Sequence, residues 1–305
     1  MEFFRKTTRI DFLGIQKWAA LASVVLFVAS MAALFMVGLK WGLDFTGGTQ
    51  IQISYPHPAP LEEIREKLAA IGFHDPVVQA YGNVNTALIR IGEKPGITHQ
   101  EISQQTLKAL PEAKIMSTEY IGPQVGSELA VNGLLALIVA MLATMTYIAI
   151  RFEWRFAVSA MVALFHDPIL ILGIFAFWHI EFDLIALAAL LSVVGYSLND
   201  TIVVFDRIRE NFRKHRKATT TEIVNLSVNQ TLSRTIMTSV VTLLAVVALY
   251  IFGGEKVHGF SFALIIGIVV GTYSSIYIAG ALAVALGLER TNLLPVQREV
   301  VDENP

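Results

Sequence analysis

The 305-residue chain contains no cysteine, which excludes disulfides, thiolate metal sites and cysteine nucleophiles. Charged residues supply only 16% of it, against roughly 25% in an ordinary soluble domain, so the chain lacks the polar surface such a domain needs. No Gly-rich loop with the Walker spacing is present, and direct ATP hydrolysis is left without a phosphate cradle. No pattern asks for a metal or an organic cofactor. Any work the protein does must therefore draw on an ion gradient, with protons as the coupling ion, or on a partner.

What is abundant is apolar: 54% of the residues, gathered in long runs. Runs at 18–39, 129–150, 156–178, 184–205, 235–253 and 260–286 each approach or exceed the ~20 residues that cross a bilayer core. The chain is a polytopic α-helical membrane protein with six spans. The first run is too long for the h-region of a signal peptide, and Lys40-Trp41-Gly42-Leu43-Asp44 after it lacks a small-x-small cleavage site.

Between the first and second spans the pattern becomes that of a small soluble domain. Residues 49–55 alternate as a strand, 60–71 have helical spacing, and 77–81 and 86–91 flank a turn at Gly82. A second amphipathic helix at 98–110 and a strand at 114–121 follow. The order βαββαβ predicts an α+β ferredoxin-like sandwich. The expected organisation is a cytoplasmic segment 1–17, transmembrane helix 18–40, outer domain 41–127, transmembrane helices over 128–288 and a cytoplasmic tail 289–305.

Basic residues orient this plan. Arg5, Lys6, Arg9, Lys17, Arg151, Arg155, Arg207, Arg209, Arg213, Lys214, Arg216, Lys217, Arg234, Arg290 and Arg298 all fall on one side. The two short loops of the other side, 178–183 and 254–259, hold only Lys256. The positive-inside rule then puts both termini in the cytoplasm and the α+β domain on the periplasmic or extracytoplasmic side. The basic run 207–217 beside a span reads as an orientation signal in contact with anionic lipid, not as a nucleic-acid patch.

Ionisable groups inside the spans are the candidate site. Asp200 follows Asn199 in the fourth run, about two turns from its cytoplasmic end, with Gly195 one turn back where another helix could approach closely. Arg234, at the start of the fifth run, is the candidate cation beside it. A helix beginning near Ser227 would set the two at similar depth. Alternatives are structural: an acid that ties helices together, and an arginine that snorkels. Thr235, Thr238, Ser239 and Thr242 either line a hydrated path or bond back to helix carbonyls, the commoner outcome. His166-Asp167-Pro168 lies near mid-depth in the third run, as a second relay or a polar pair at a proline kink. After the first span, Asp44-Phe45-Thr46-Gly47-Gly48 implies a tight turn with close backbone approach.

Five ordered motifs resemble the SecF branch of the SecD/SecF family of protein-export membrane proteins, in the RND superfamily: Asp44 to Gly48, Ile121-Gly122-Pro123-Gln124-Val125-Gly126, Gly195 through Asn211, Ser233 to Ser239, and Gly259-Phe260-Ser261-Phe262 with Gly271-Thr272-Tyr273. His258 departs from the pattern, where the family often has arginine. The resemblance implies a non-enzymatic subunit that uses the proton-motive force at Asp200, paired with Arg234, to help preproteins through the bacterial inner membrane. It implies a SecD-like six-helix partner, the SecYEG channel, YajC and unfolded preprotein as associates. Two other readings are an RND-type proton/small-molecule antiporter half and an intramembrane aspartyl protease using Asp167 and Asp200. The second lacks the Gly-x-Gly-Asp arrangement, because Asn199 precedes Asp200.

Overall fold

The computed structural model describes residues 8–73, 76–92 and 96–289; Arg5, Lys6, Arg290, Arg298 and most of the expected tail lie outside them. Among the described residues, six helices are long and apolar enough to cross a membrane: α1 (Gln16–Met36), α5 (Pro123–Arg151), α6 (Trp154–Phe177), α7 (Leu184–Lys214), α8 (Thr220–Phe252) and a last span. The last span contains α9 (His258–Ser274), a π-helical turn over Ser275–Ala279 and α10 (Gly280–Ala285). α7 and α8, at 31 and 33 residues, run about 46 and 50 Å, well beyond a ~30 Å apolar core. They leave the bundle as an antiparallel pair on the basic side.

α8 starts at Thr220, not near Ser227. The reason is a capping box: Thr219 Oγ1 accepts from the Glu222 amide, and Glu222 Oε2 accepts from the Thr219 amide at 2.8 Å. α6 passes through His166-Asp167-Pro168 as one continuous helix, so the proline does not interrupt it.

Gly195 makes no close helix contact, because a Cβ there would meet nothing within 4 Å. Other glycines carry the close approaches. A Cβ on Gly173 would lie 2.5 Å from Ser30 Cα, where α1 crosses α6, and one on Gly271 would lie 2.9 Å from Ser197 Cβ, where α9 crosses α7.

The extramembrane domain follows α1 through β1 (Lys40–Trp41) and a short helix α2 (Leu43–Thr46). It then runs β2 (Gly48–Ser54), α3 (Leu61–Ala70), β3 (Val77–Tyr81), β4 (Asn83–Ile91), α4 (His99–Ala109) and β5 (Lys114–Ile121), the expected ferredoxin-like βαββαβ order. Its antiparallel sheet has the order β3-β4-β2-β5. One face, with Ile51, Ile53 and Ile89, packs on Ile64, Leu68 and Ile102 of the two helices. The other face carries Gln50, Gln79, Arg90 and Glu119 and overhangs the helix ends, enclosing an open polar cavity of about 400 Å³. β1 pairs in parallel with β6 (Glu181–Phe182), so the exit of α1 is stitched to the entrance of α7.

At the opposite end the segment before α1, which ends in a turn over residues 12–15, lies under the bundle with Phe12 and Leu13 buried. Two asparagines one turn apart on α8 hold it. Asn229 exchanges bonds with the Ile10 amide and carbonyl at 2.9 and 2.8 Å, and Asn225 accepts from the Leu13 amide at 3.0 Å while donating to Asp11.

Candidate functional site

α6, α7 and α9 are the most enclosed helices, and their polar residues meet in two adjoining groups. Each depends on a helix face set by i, i+3, i+4 spacing: Val193, Ser197, Asp200, Thr201 and Val204 form one buried stripe on α7.

The first group centres on Asp167, which is 1% exposed. Its Oδ1 lies 2.9 Å from His166 Nδ1, and its Oδ2 accepts from Ser197 Oγ at 2.5 Å and from Ser274 Oγ at 2.8 Å. One carboxylate therefore ties α6 to α7 and to α9 at the last residue before the π-helical turn. The His166 ring stacks on Phe27 of α1, and its Nε2 is buried without a protein partner.

The second group centres on Asp200, one turn further along α7 and 2% exposed. Its Oδ2 has no protein donor within hydrogen-bond distance. The α7–α8 pair is registered by Tyr196 Oη donating to Ser239 Oγ at 3.2 Å on one side and by Arg207 Nε donating to Gln230 Oε1 at 2.7 Å on the other. The rung between them puts Asp200 level with Thr235, whose buried hydroxyl is also unpartnered. Ser239 continues to Thr272 of α9 at 2.7 Å. Thr238 and Thr242 instead bond back to carbonyls of their own helix.

Two expected members of the site face outward. Asn199 is exposed, because adjacent helical positions diverge by about 100° and the buried stripe belongs to Asp200. Arg234 is exposed on α8 and makes no ion pair with Asp200; it lies within electrostatic reach and opens onto a cavity of about 310 Å³ shared with Asp206, Arg207 and Gln230. Asp206 pairs with Arg151 at 3.1 Å and Arg207 with Glu210 at 2.5 Å, a charged collar where α7 leaves the apolar zone.

The Asp44–Gly48 motif forms a joint. Gly47 and Gly48 have φ of +68° and +124°, and a Cβ on Gly47 would lie 2.9 Å from Pro123 Cα at the start of α5. Thr46 Oγ1 bonds back to the Gly42 carbonyl, and Phe45 stacks on Phe182. Asp44 Oδ2 accepts from the Leu184 amide at 2.9 Å, and Asp183 Oδ1 accepts from the Ala186 amide at 2.7 Å. The motif thus caps the N-terminus of the helix that carries Asp200, where negative charge is favoured. Burial pushes the Asp183 carboxyl above the usual range, and Asp44 and Glu181 add to the rise.

Sequence reasoning missed Ser197 and Ser274 as partners of Asp167, and the two α8 asparagines. Serines in membrane spans bond to their own carbonyls too often for sequence alone to single these out.

Six membrane-length helices around buried acids, with a ferredoxin-like domain after the first, define half of an RND-type membrane unit. The chain belongs to the SecD/SecF family: residues 101–289 match "Protein export membrane protein SecD/SecF, C-terminal" and residues 32–56 match the SecD/SecF GG motif. It is 46% identical over 295 residues to the protein translocase subunit SecF of Vibrio alginolyticus, covering 94% of each chain. It is 44% identical over 308 residues to that of Pseudomonas aeruginosa, covering 98% of this chain and 99% of the other. Among solved structures, SecDF from Thermus thermophilus superposes with a TM-score of 0.85 at 36% identity over 93% of this chain. The chain spans 39% of that longer polypeptide. It is a multi-pass inner-membrane protein.

Proposed function

We propose that this chain is the SecF-type subunit of a protein translocase, a non-enzymatic, proton-driven accessory that helps preproteins cross the inner membrane. The observation that carries the reading is Asp200, buried in the bundle with an unpartnered carboxylate oxygen, on a helix whose other end is capped by the Asp44 motif leading into the extramembrane domain. Proton binding at Asp200 neutralises a buried carboxylate one of whose oxygens has no hydrogen-bond donor. That change biases the packing of α7 against α8 and α9, and the joint at Asp44 and Gly47 passes the bias to the domain. Arg234 acts on Asp200 through space from the exposed side of α8.

The domain faces the periplasm and both termini the cytoplasm, in keeping with the basic collar at the α7–α8 end. A SecD-like six-helix partner covers the exposed apolar sides of α1, α5 and α8, and the pair works with SecYEG, with YajC and with the emerging polypeptide. One charge crossing 100 mV supplies about 2.3 kcal/mol, so several protons, or a ratchet on diffusion, drive each sizeable displacement.

The test is Asp200→Asn in vesicles reconstituted with the partner and the export channel. Export that no longer responds to a proton gradient is expected; full gradient-dependent export by the variant overturns the reading. Proton flux driven by a small molecule without any partner would favour the antiporter instead. Asp167 and Asp200 share no bond and no common partner in the structure, an arrangement that does not suit a protease dyad sharing one water.

A further inference from the structure

The Asp167 group lies outside the Asp200–Arg234 pair, yet it is the most completely bonded ionisable site in the bundle core. Its carboxylate lies within hydrogen-bond distance of three side chains: both serines can donate to Oδ2, with Ser274 also reaching the Gly271 carbonyl at 3.1 Å, and the Nδ1–H tautomer of His166 donates to Oδ1. That pattern fits an ionised acid with His166 donating from Nδ1. The neutral ring then presents a lone pair at Nε2, 5% exposed as a residue and without a protein partner. In that state the pair buries one net negative charge.

From this geometry we propose that His166 and Asp167 form a second proton-holding station, with the proton binding at His166 Nε2. The proton adds to the Nε2 lone pair while the Nδ1–H stays on Asp167, and the net charge of the pair goes from −1 to 0. The conformational consequence lies in the serines. An imidazolium draws the carboxylate towards itself and weakens its hold on Ser197 and Ser274. Ser274 is the last residue of α9, and Ser275–Ala279 continue as the π-helical turn packed against α6 and α7. π-turns are metastable and frequent at functional sites, so the charge of the pair sets how firmly that turn is held.

Few other ionisable groups reach this place. α7 presents Asp200 one turn away, and α9 presents Tyr273, whose hydroxyl is bonded to Ser23 and to the Ala19 carbonyl of α1. Tyr277 lies in the π-turn against Tyr273 and Phe12, and Lys17 of α1 is ten positions from Phe27. α8 contributes Arg234, on its exposed side. His166 is a positioning residue for the proton-coupled cycle, and the inference rests on that reading for its functional meaning.

Two measurements on the full chain in complex with its six-helix partner test it. In ¹⁵N-histidine spectra, the signal that disappears in His166→Asn is expected to change from the Nδ1–H tautomer to an imidazolium as the proton concentration is raised. In vesicles, His166→Asn can still donate to Asp167 but cannot hold the extra proton. It is expected to remove a step from the pH profile of proton flux while leaving the thermal unfolding temperature unchanged. A neutral tautomer across the whole range, or an unmoved flux profile, overturns the proposal. Gradient-independent export in Asp200→Asn tests the broader reading separately, because the histidine spectrum reports the pair whether or not Asp200 carries protons.

Discussion

Arg90 Nη2 donates to Glu181 Oε1 at 2.5 Å across 91 positions of sequence, joining the polar face of the sheet to the loop between α6 and α7. Arg90 also donates to Gln50 at 3.2 Å, while Lys256 and Glu119 pair beside it. The Arg90 and Glu181 side chains are 12% and 23% exposed, between a surface pair and a buried one. Coupling of about 1–3 kcal/mol is therefore expected in a double-mutant cycle with Arg90→Gln and Glu181→Gln, read as thermal unfolding in detergent. Additive single effects would show that the domain is seated by other contacts.

The cap of α7 gives a second expectation. Asp44→Ala removes the acceptor for the Leu184 amide and should cost about 1 kcal/mol, whereas Asp44→Asn keeps most of the cap. Asp183 has a raised pKa in the folded state, so folding binds a proton in the window above its unfolded value. Its contribution makes stability fall as pH rises through that window. Asp183→Asn is expected to remove this slope, and an unchanged slope would assign it to another group.

Small residues predict opposite outcomes at two positions. Gly173→Ala drives a methyl into Ser30 of α1 and is expected to destabilise by about 1–3 kcal/mol, because the obstacle includes backbone. Gly195→Ala meets nothing and should be neutral or stabilise by up to about 1 kcal/mol, from helix propensity. Equal effects in a thermal shift comparison would contradict the packing described for α1 and α6.

His57 Nε2 lies 2.9 Å from Glu112, and that hydrogen bond holds the exposed imidazole above the usual histidine range, helped by the Pro58 carbonyl. A raised folded pKa gives stability that is complete below the unfolded value of about 6.5 and is lost as pH rises through the folded one. An NMR titration should find the His57 midpoint above about 6.5 and returned towards it in Glu112→Gln. A midpoint unmoved by that substitution would refute the pairing.

The extramembrane domain was legible because its strands alternate and its helices are amphipathic, so residues such as Ile51 and Ile64 announce their burial. The spans were legible in number for the opposite reason, their continuous apolarity. That same apolarity hid which face of each helix points inward, since lipid-facing positions are as apolar as buried ones. Hence Asn199 and Gly195 could be grouped with Asp200 in sequence although the helix turns both outward. Arg234 does match Asp200 in depth, next to Thr235, but the helix turns it to the exposed side, and the assumed start near Ser227 is not where that helix begins. The Thr219-Thr220-Thr221-Glu222 box, a readable signal, starts it two turns earlier. The serines around Asp167 were beyond reach, because only the crossing of three helices brings them together.

The clip of Asn225 and Asn229 on residues 10–13 bears on how the molecule is made. Ile10 leaves the ribosome 219 positions before Asn229. Until the fifth span has been inserted, the backbone groups of Ile10 and Leu13 lack these partners. Closure of the bundle base thus waits on synthesis of the fifth span, and an earlier stretch of the chain stays open until a later one arrives. A nascent chain stalled after the fourth span would leave that segment open to protease, and one stalled after the fifth would protect it.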